Sequence, residues 1–474
     1  MTRIYERCFF IGSSSFTTLK AKNQFQYDAA KIAFNERHRQ IIQHNMARYD
    51  AAVERGYDRF KDIGLTKRQA AFIKRAMLAH WDEYLIQFEE NIIKHGIRVL
   101  WARDAVETMQ HIKTLLTERE ASLVVKSKSM TTEEISFNEE LEADGFKSIE
   151  TDLGEFIVQI AGEKPYHIVT PAMHKSKEDI AKLFQEKFQT PPDSTPEELT
   201  LYVRSFLRDH YLKADVGVTG ANFLIADIGA VAVTENEGNA LMSTSFPKLH
   251  IVIAGIEKVI PSLRDLGMFQ PLLATLGTGQ QVTAYNTLFS GPRFSSEVDG
   301  PEAMVVILMD NGRTSVYEDD DNAEVLSCIR CGACLNACPV YKTIGGYTYH
   351  STYSGPIGSV ITPFFEGWKE MGHLSFACSL CGKCAEVCPV QIPLPDLLLN
   401  NRKKVVEERA RPVTEKKLFK AYQWIAESRS RFDFFPFWMK NMASFPFNFL
   451  GWGPKRKMPI FKQSFTKQWI KNNK

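Results

Sequence analysis

The chain has 474 residues, and at roughly 100–200 residues per domain two or three domains are expected. Hydrophobic residues are 44% and charged residues 24%, a globular balance that excludes a mostly disordered chain. The net charge of +2 divides into +13 over residues 402–474 and −11 over the rest. A basic tail on an acidic body suggests a docking surface, with a solvated helical face as the plain alternative. The longest apolar run, residues 303–309, is far short of the ~20 needed to cross a bilayer. The apolar stretch after the basic start is too short for a secretory signal. A soluble, cytoplasmic protein is expected, with any membrane contact peripheral and through partners. No nucleic-acid-binding motif is present, so no nucleic-acid partner is expected.

Residues 1–120 read as a helical N-terminal region, with Phe72, Ile73, Ala76, Met77 and Trp81 at helical spacing. Arg55-Gly56 and Ile63-Gly64 are read as breaks. Residues 121–310 alternate strands and helices, which argues an α/β domain with a largely parallel sheet. Strands are expected at 122–125, 156–160, 167–169, 216–218, 230–234, 249–254 and 305–308. Helices are expected at 176–188 and 196–209. A further helix opens at Met130, with Thr131 and Glu134 at capping-box spacing.

Three loops beyond strand ends are candidate anion sites. Lys126-Ser-Lys128-Ser precedes a helix start, where free amides and two ammonium groups can converge. Gly217-Val-Thr-Gly220-Ala-Asn222 is read as a strand-to-helix turn without a full dinucleotide or Walker pattern. Gly277-Thr-Gly-Gln280 is the third. For each, a tight turn needing positive φ is the competing reading. Glu235 and Glu237 in TENEGN are either an acid/base pair or part of a hairpin turn.

Eight of the nine cysteines lie in two equal runs. These are Cys328, Cys331, Cys334, Cys338-Pro and Cys378, Cys381, Cys384, Cys388-Pro. Each run is Cys-x-x-Cys-x-x-Cys-x-x-x-Cys-Pro, the spacing of a [4Fe–4S] ligand loop whose fourth Cys serves the other cluster. The spacing therefore assigns Cys328, Cys331, Cys334 and Cys388 to one cluster, and Cys378, Cys381, Cys384 and Cys338 to the other. Disulfides do not suit a reducing compartment, and zinc sites use paired Cys-x-x-Cys units. His350 and His373 lie nearby but are redundant as ligands. Cys8 is given no role beyond an incidental thiol.

The link between the runs holds Gly345-Gly346, Tyr347, Tyr349, Tyr353 and Pro363. It resembles the α-helical ferredoxin domain of the succinate dehydrogenase iron–sulfur subunit rather than small β-linked ferredoxins. That places an α-helical two-cluster domain at 318–400 and a basic, aromatic C-terminal region at 401–474. Phe432, Phe434, Phe435, Phe437, Trp438, Phe445, Phe447, Phe449, Trp452 and Trp469 are interleaved with the tail's charges, and its prolines exclude one long helix. Contact with the ferredoxin domain or a partner subunit is favoured over lipid.

The stretches VVKSKSMTTEEISFNEELEADGFKSIETDLGEFIVQIAGEKPYHIVTPAMH and VGVTGANFLIADIGAVAVTENEGN, followed by both cysteine runs, resemble the lactate utilisation protein B family. The resemblance covers nearly the whole chain from about residue 30. It implies a NagB/RpiA/CoA-transferase-like fold for the α/β part. It also implies an iron–sulfur role in oxidising L-lactate to pyruvate. The implied partners are a Cys-rich subunit, a second subunit with the same α/β domain, and an unidentified electron acceptor. An α/β domain that itself binds substrate or cofactor, and one that is a scaffold or sensory module, are the alternatives.

Overall fold

The computed structural model describes residues 18–407, 413–434, 436–446, 459–462, 469–470 and 472. Cys8, Phe435, Phe447, Phe449 and Trp452 lie outside the described residues. The chain divides into one compact unit ending at Val405 and a second beginning at Val406.

In chain order the strands are β1 (Arg98–Ala102), β2 (Leu123–Lys126), β3 (Lys147–Glu150), β4 (Val216–Thr219), β5 (Phe223–Ile225), β6 (Ala230–Glu235), β7 (Leu249–Gly255), β8 (Val259–Ile260), β9 (Tyr285–Phe289) and β10 (Ala303–Met309). Six of them form a sheet in the order β1-β10-β7-β4-β2-β3, with every neighbouring pair parallel. Its central strands are buried on both faces, as parallel sheets require. Alternate residues serve two cores. Ile251, Ile253 and Ile307 pack with Ile112 and Leu116 of the helix Ala105–Glu118. Val252, Ala254, Val306 and Leu308 join a larger core on the other face. That larger core also takes in Leu272, Cys331, Leu335 and Cys388, so the α/β layer and the cysteine region share one interior. A smaller sheet, β8-β5-β6-β9, sits beside it.

Several expectations are corrected. The span 1–120 is not wholly helical, because β1 forms the sheet edge; a five-residue strand, buried only at Ala102, gives little periodicity among long helices. Residues 156–160 are not a strand but lie in the helix Leu153–Ala161. Its apolar run mimics a buried strand, but the Asp152 carboxylate caps the Glu155 amide and Gly162, at φ 68°, closes it. Residues 167–169 form a loop. Thr131 and Glu134 do not form a capping box; Ser129 is the N-cap, and Thr132 Oγ1 donates to its carbonyl. Arg55-Gly56 lies within the helix Glu36–Tyr57, so the break follows it. Phe72 is exposed, and the helix Ile63–Ala79 ends before Trp81, which opens the next one.

Between the cysteine runs the chain is helical, with Tyr341–Ile344, Gly355–Glu366 and Trp368–Met371 and, among the described residues, no strand. Among the described residues the second unit holds the helices Val413–Ala426, Arg429–Phe434 and Phe437–Ser444. Within it Lys440 lies over the Phe432 ring at 3.9 Å and Arg431 over Trp424 at 4.7 Å.

Candidate functional site

The two cysteine runs fold alike. In each, the second residue after the first cysteine is left-handed, Arg330 at φ 59° and Leu380 at φ 56°. Its amide donates to the first sulfur, at 3.4 Å to Cys328 and 3.2 Å to Cys378. Gly332 and Gly382 then adopt φ 80° and 83° and start the short helices Ala333–Ala337 and Lys383–Val387. The fourth sulfurs also accept amides, Cys338 from Tyr341 at 3.5 Å and Cys388 from Ile392 at 3.4 Å. Such bonds favour thiolate over thiol.

Cys328, Cys331, Cys334 and Cys388 line one small cavity. Cys338 lies in the electrostatic field of Cys378 and Cys381, and Cys384 in that of Cys378 and Cys338. Among the described residues, no three Cys, His, Asp or Glu side chains converge as ligands of a single ion do. His350 pairs with Asp28 at 2.8 Å, and His373 bonds the Glu370 carbonyl at 2.8 Å. Both are thereby occupied elsewhere.

A cleft of about 470 Å³ opens at the carboxyl ends of β2, β4 and β6. This is where open α/β sheets take ligands. Lys128, Asp152, Asn222, Glu237, Lys258 and Arg330 line it, and Cys331 reaches it from the first run. A larger groove of about 690 Å³ along Ala105–Glu118 contains no cysteine.

The loops read as anion sites separate into cleft and framework. Lys126 is a framework residue. It is fully buried, 2.8 Å from Glu150, 3.6 Å from Glu155 and 3.7 Å from Glu133, so its charge is spent on three carboxylates. Burial alone would lower its pKa, but those carboxylates raise it. Burial pushes Glu133 up to about 7 despite Lys126. Gly217 is also framework, since a Cβ there would fall 1.8 Å from the Ser243 carbonyl oxygen. Gly220 does border the cleft, and a Cβ would meet Ser129 Oγ at 2.5 Å. Residues 217–222 lead into β5, not a helix, and Asn222 ties β6 through the Thr234 amide at 2.9 Å. Lys128 borders the cleft and donates to the Val169 carbonyl. Gly277-Thr-Gly-Gln280 ends a helix, with Gly279 at φ 77° as its cap.

TENEGN makes no hairpin. Glu235 caps the helix Asn239–Ser245 by accepting from the Ala240 and Leu241 amides at 2.6 and 3.0 Å. Glu237 accepts from Leu153 at 3.0 Å. Burial, with Asp152 as a like-charged neighbour, pushes Glu237 up to about 7.

A chain of buried charges under the cleft was not legible in the sequence. Tyr353 donates to Glu134 at 2.6 Å, and Arg313 grips Glu134 with two nitrogens at 2.8 and 2.9 Å. Arg313 also donates to Glu257, and Arg330 reaches Glu257 at 3.4 Å. Lys74 donates to the Glu257 carbonyl at 2.8 Å. Burial would raise the Glu257 pKa, but Arg313, Arg330 and Lys258 outweigh it and hold the group well below the usual carboxylate range. Burial lowers Lys74 to about 7 and Lys258 to about 8, with Glu257 opposing both shifts. Arg330 stacks 4.3 Å over the Tyr353 ring. Its Nε and Nη1 are buried without a hydrogen-bond partner. The only sequence signal for this residue is its place inside Cys-x-x-Cys.

Comparison with known proteins follows the same division. Residues 85–309 match the LUD domain and residues 324–392 match the 4Fe-4S dicluster domain. Lactate utilization protein B of Bacillus licheniformis is 44% identical over 74% of this chain and 74% of its own. That of Bacillus subtilis is 40% identical over 84% of this chain and 85% of its own. A solved DUF162 family protein from Deinococcus radiodurans covers 48% of this chain and 98% of its own at 18% identity, with a TM-score of 0.26, too loose a likeness to argue from. The dicluster match identifies two [4Fe–4S] clusters as the cofactors. No helix among the described residues is long and apolar enough to cross a membrane.

Proposed function

The chain belongs to the lactate utilization protein B family, and from that premise we propose that it is the iron–sulfur electron-transfer subunit of a system oxidising L-lactate to pyruvate. Cys328, Cys331, Cys334 and Cys388 hold the first cluster; Cys378, Cys381, Cys384 and Cys338 hold the second. One observation carries the assignment: Cys388 lines the same small cavity as the first three cysteines of the other run. The donors fit the group. Thiolates are the ligands of such clusters, amides already point at the sulfurs, and the orphaned Arg330 nitrogens border the same cavity. Each bound cluster supplies storage for one electron at a time. The chain's own part is to bury the first site, aim amide dipoles at its sulfurs and leave Cys381 at the surface.

The proposed partners are a Cys-rich subunit, a second LUD-domain subunit and an electron acceptor. The basic segment 402–474 is the proposed docking segment, and deleting residues 432–474 should release the partners. The finer kinship of the α/β layer to NagB/RpiA/CoA-transferase folds belongs to the same proposal, supported by its parallel sheet with ligand-sized cleft. Anaerobic purification of the complex with iron, sulfide and flavin analysis tests the reading. About eight iron and eight sulfide per chain are expected, and tightly bound zinc in their place sinks it.

A second reading, that the α/β domain itself takes the substrate, is favoured by Cys331 bordering both the cleft and the first cavity. The isolated holo chain oxidising L-lactate with an artificial acceptor would support it.

A further inference from the structure

We propose that the chain holds its two clusters at different potentials, and that Arg330, Lys67, Lys74 and Lys258 set the first above the second. The inference rests on the ligand assignment above. The two runs give nearly identical backbones, so local geometry and amide bonding do not separate the clusters. The surroundings do.

Arg330 and Leu380 occupy the same left-handed slot. A non-glycine residue there is conformationally costly, and in the first run it is a cation. Lys74 is 1% exposed, Lys258 8%, and the Arg330 side chain 8%. Cys328 acts electrostatically on all three. Lys67 feels Cys388 and Cys331 and donates to the Glu386 and Val387 carbonyls at 3.2 and 3.3 Å. Glu257 cancels one of these charges, and Arg313 is balanced by Glu134. A net positive cage remains around the first site.

The second site has weaker cations. Arg402 is half-buried and donates to the Ser375 and Cys378 carbonyls at 3.0 and 2.8 Å. Lys383 is exposed and paired with Glu386, where solvent screens it. Exposure of Cys381 works the other way, since water also stabilises a reduced cluster. Buried charges in a low-dielectric surround act more strongly than one wetted sulfur. Reduction adds a negative charge, so the cage favours the reduced first cluster. The orphaned Nε and Nη1 of Arg330 point to the same role, because cluster sulfur would give these buried donors their acceptors.

The test is an EPR-monitored redox titration of the full anaerobic chain, with iron counted first. Two separate steps are expected, and Cys331→Ser should alter the signal of the higher one. Arg330→Gln should move the higher step to lower potential, with the lower step and the iron content unchanged. Arg330→Lys should restore part of the shift. Lys258→Gln, on the cleft wall, reads the same effect if Arg330→Gln does not fold. A single step shared by both clusters overturns the proposal. So does an Arg330→Gln or Lys258→Gln titration that leaves the higher step in place or moves the lower one. A chain without about eight iron overturns the ligand assignment instead.

Discussion

The run from Cys328 to Cys338 and the run from Cys378 to Cys388 share their spacing, their left-handed turns and their amide-to-sulfur bonds. They differ in what encloses them. The first is pressed between the helix Leu263–Thr278, the loop at His167–Val169 and a layer of buried cations. The second leaves Cys381 exposed and Gly382 with open space around it. Ligand spacing thus fixes a local backbone, while the rest of the chain decides how much water and charge each copy meets. Paired substitutions at matching positions separate these two contributions.

The largest effect is expected at the ligands. Cys331→Ser and Cys381→Ser should each reduce iron from about eight to about four per chain. Only Cys331→Ser should also lower the melting temperature clearly, because Cys331 is buried in the main core while Cys381 is exposed. Iron assay with calorimetry decides, and equal melting losses would erase the distinction.

Next comes the left-handed slot. Arg330→Leu removes one of the three cations acting on buried Glu257 and should cost about 3 kcal/mol. Leu380→Arg, at a half-buried site on the edge of the core, should cost less, about 1 kcal/mol. Denaturant unfolding of both variants measures the gap.

The glycines give a smaller contrast. Alanine at either position pays for positive φ, about 1 kcal/mol. At Gly332 the new Cβ would also meet Val169 Cγ2 at 2.8 Å, raising the cost to about 2 kcal/mol. At Gly382 it meets nothing within 4 Å. Thermal melts of Gly332→Ala and Gly382→Ala that coincide would argue against the enclosure.

The smallest difference is kinetic. Under an iron chelator the second cluster should be lost first, by several-fold in rate, because its ligand Cys381 is exposed to solvent. Time-resolved EPR distinguishes this order from its reverse.

What the sequence revealed was local. Cysteine spacing, the helices expected at 176–188 and 196–209 and the strand β7 depend on residues a few positions apart. The helix Leu153–Ala161 was misread because Phe156, Ile157 and Val158 outweighed a signal that was present, Asp152 three residues before Glu155 and Gly162 at the end. Lys126 was misread for another reason. Its partners Glu150 and Glu155 lie beyond a helix and a strand, and nothing local shows that they return to it. Arg330 has its key partners at Glu257 and Tyr353, which are also distant along the chain. The cleft was half legible: Lys128, Gly220 and Asn222 border it, while Lys258 and Arg330 arrive by tertiary folding.

Gly277 sits where a Cβ would be 2.8 Å from the Cys331 carbonyl oxygen, and its own carbonyl accepts from Asn336 at 3.2 Å. That contact has a consequence in time. Synthesis runs from the amino end, so the helix Leu263–Thr278 exists before any cysteine of the first site, and Cys388 is the last of those four to emerge. The helix cannot settle onto its final neighbour until a loop made later has taken shape. Closure of this face of the core thus waits on the first cysteine run.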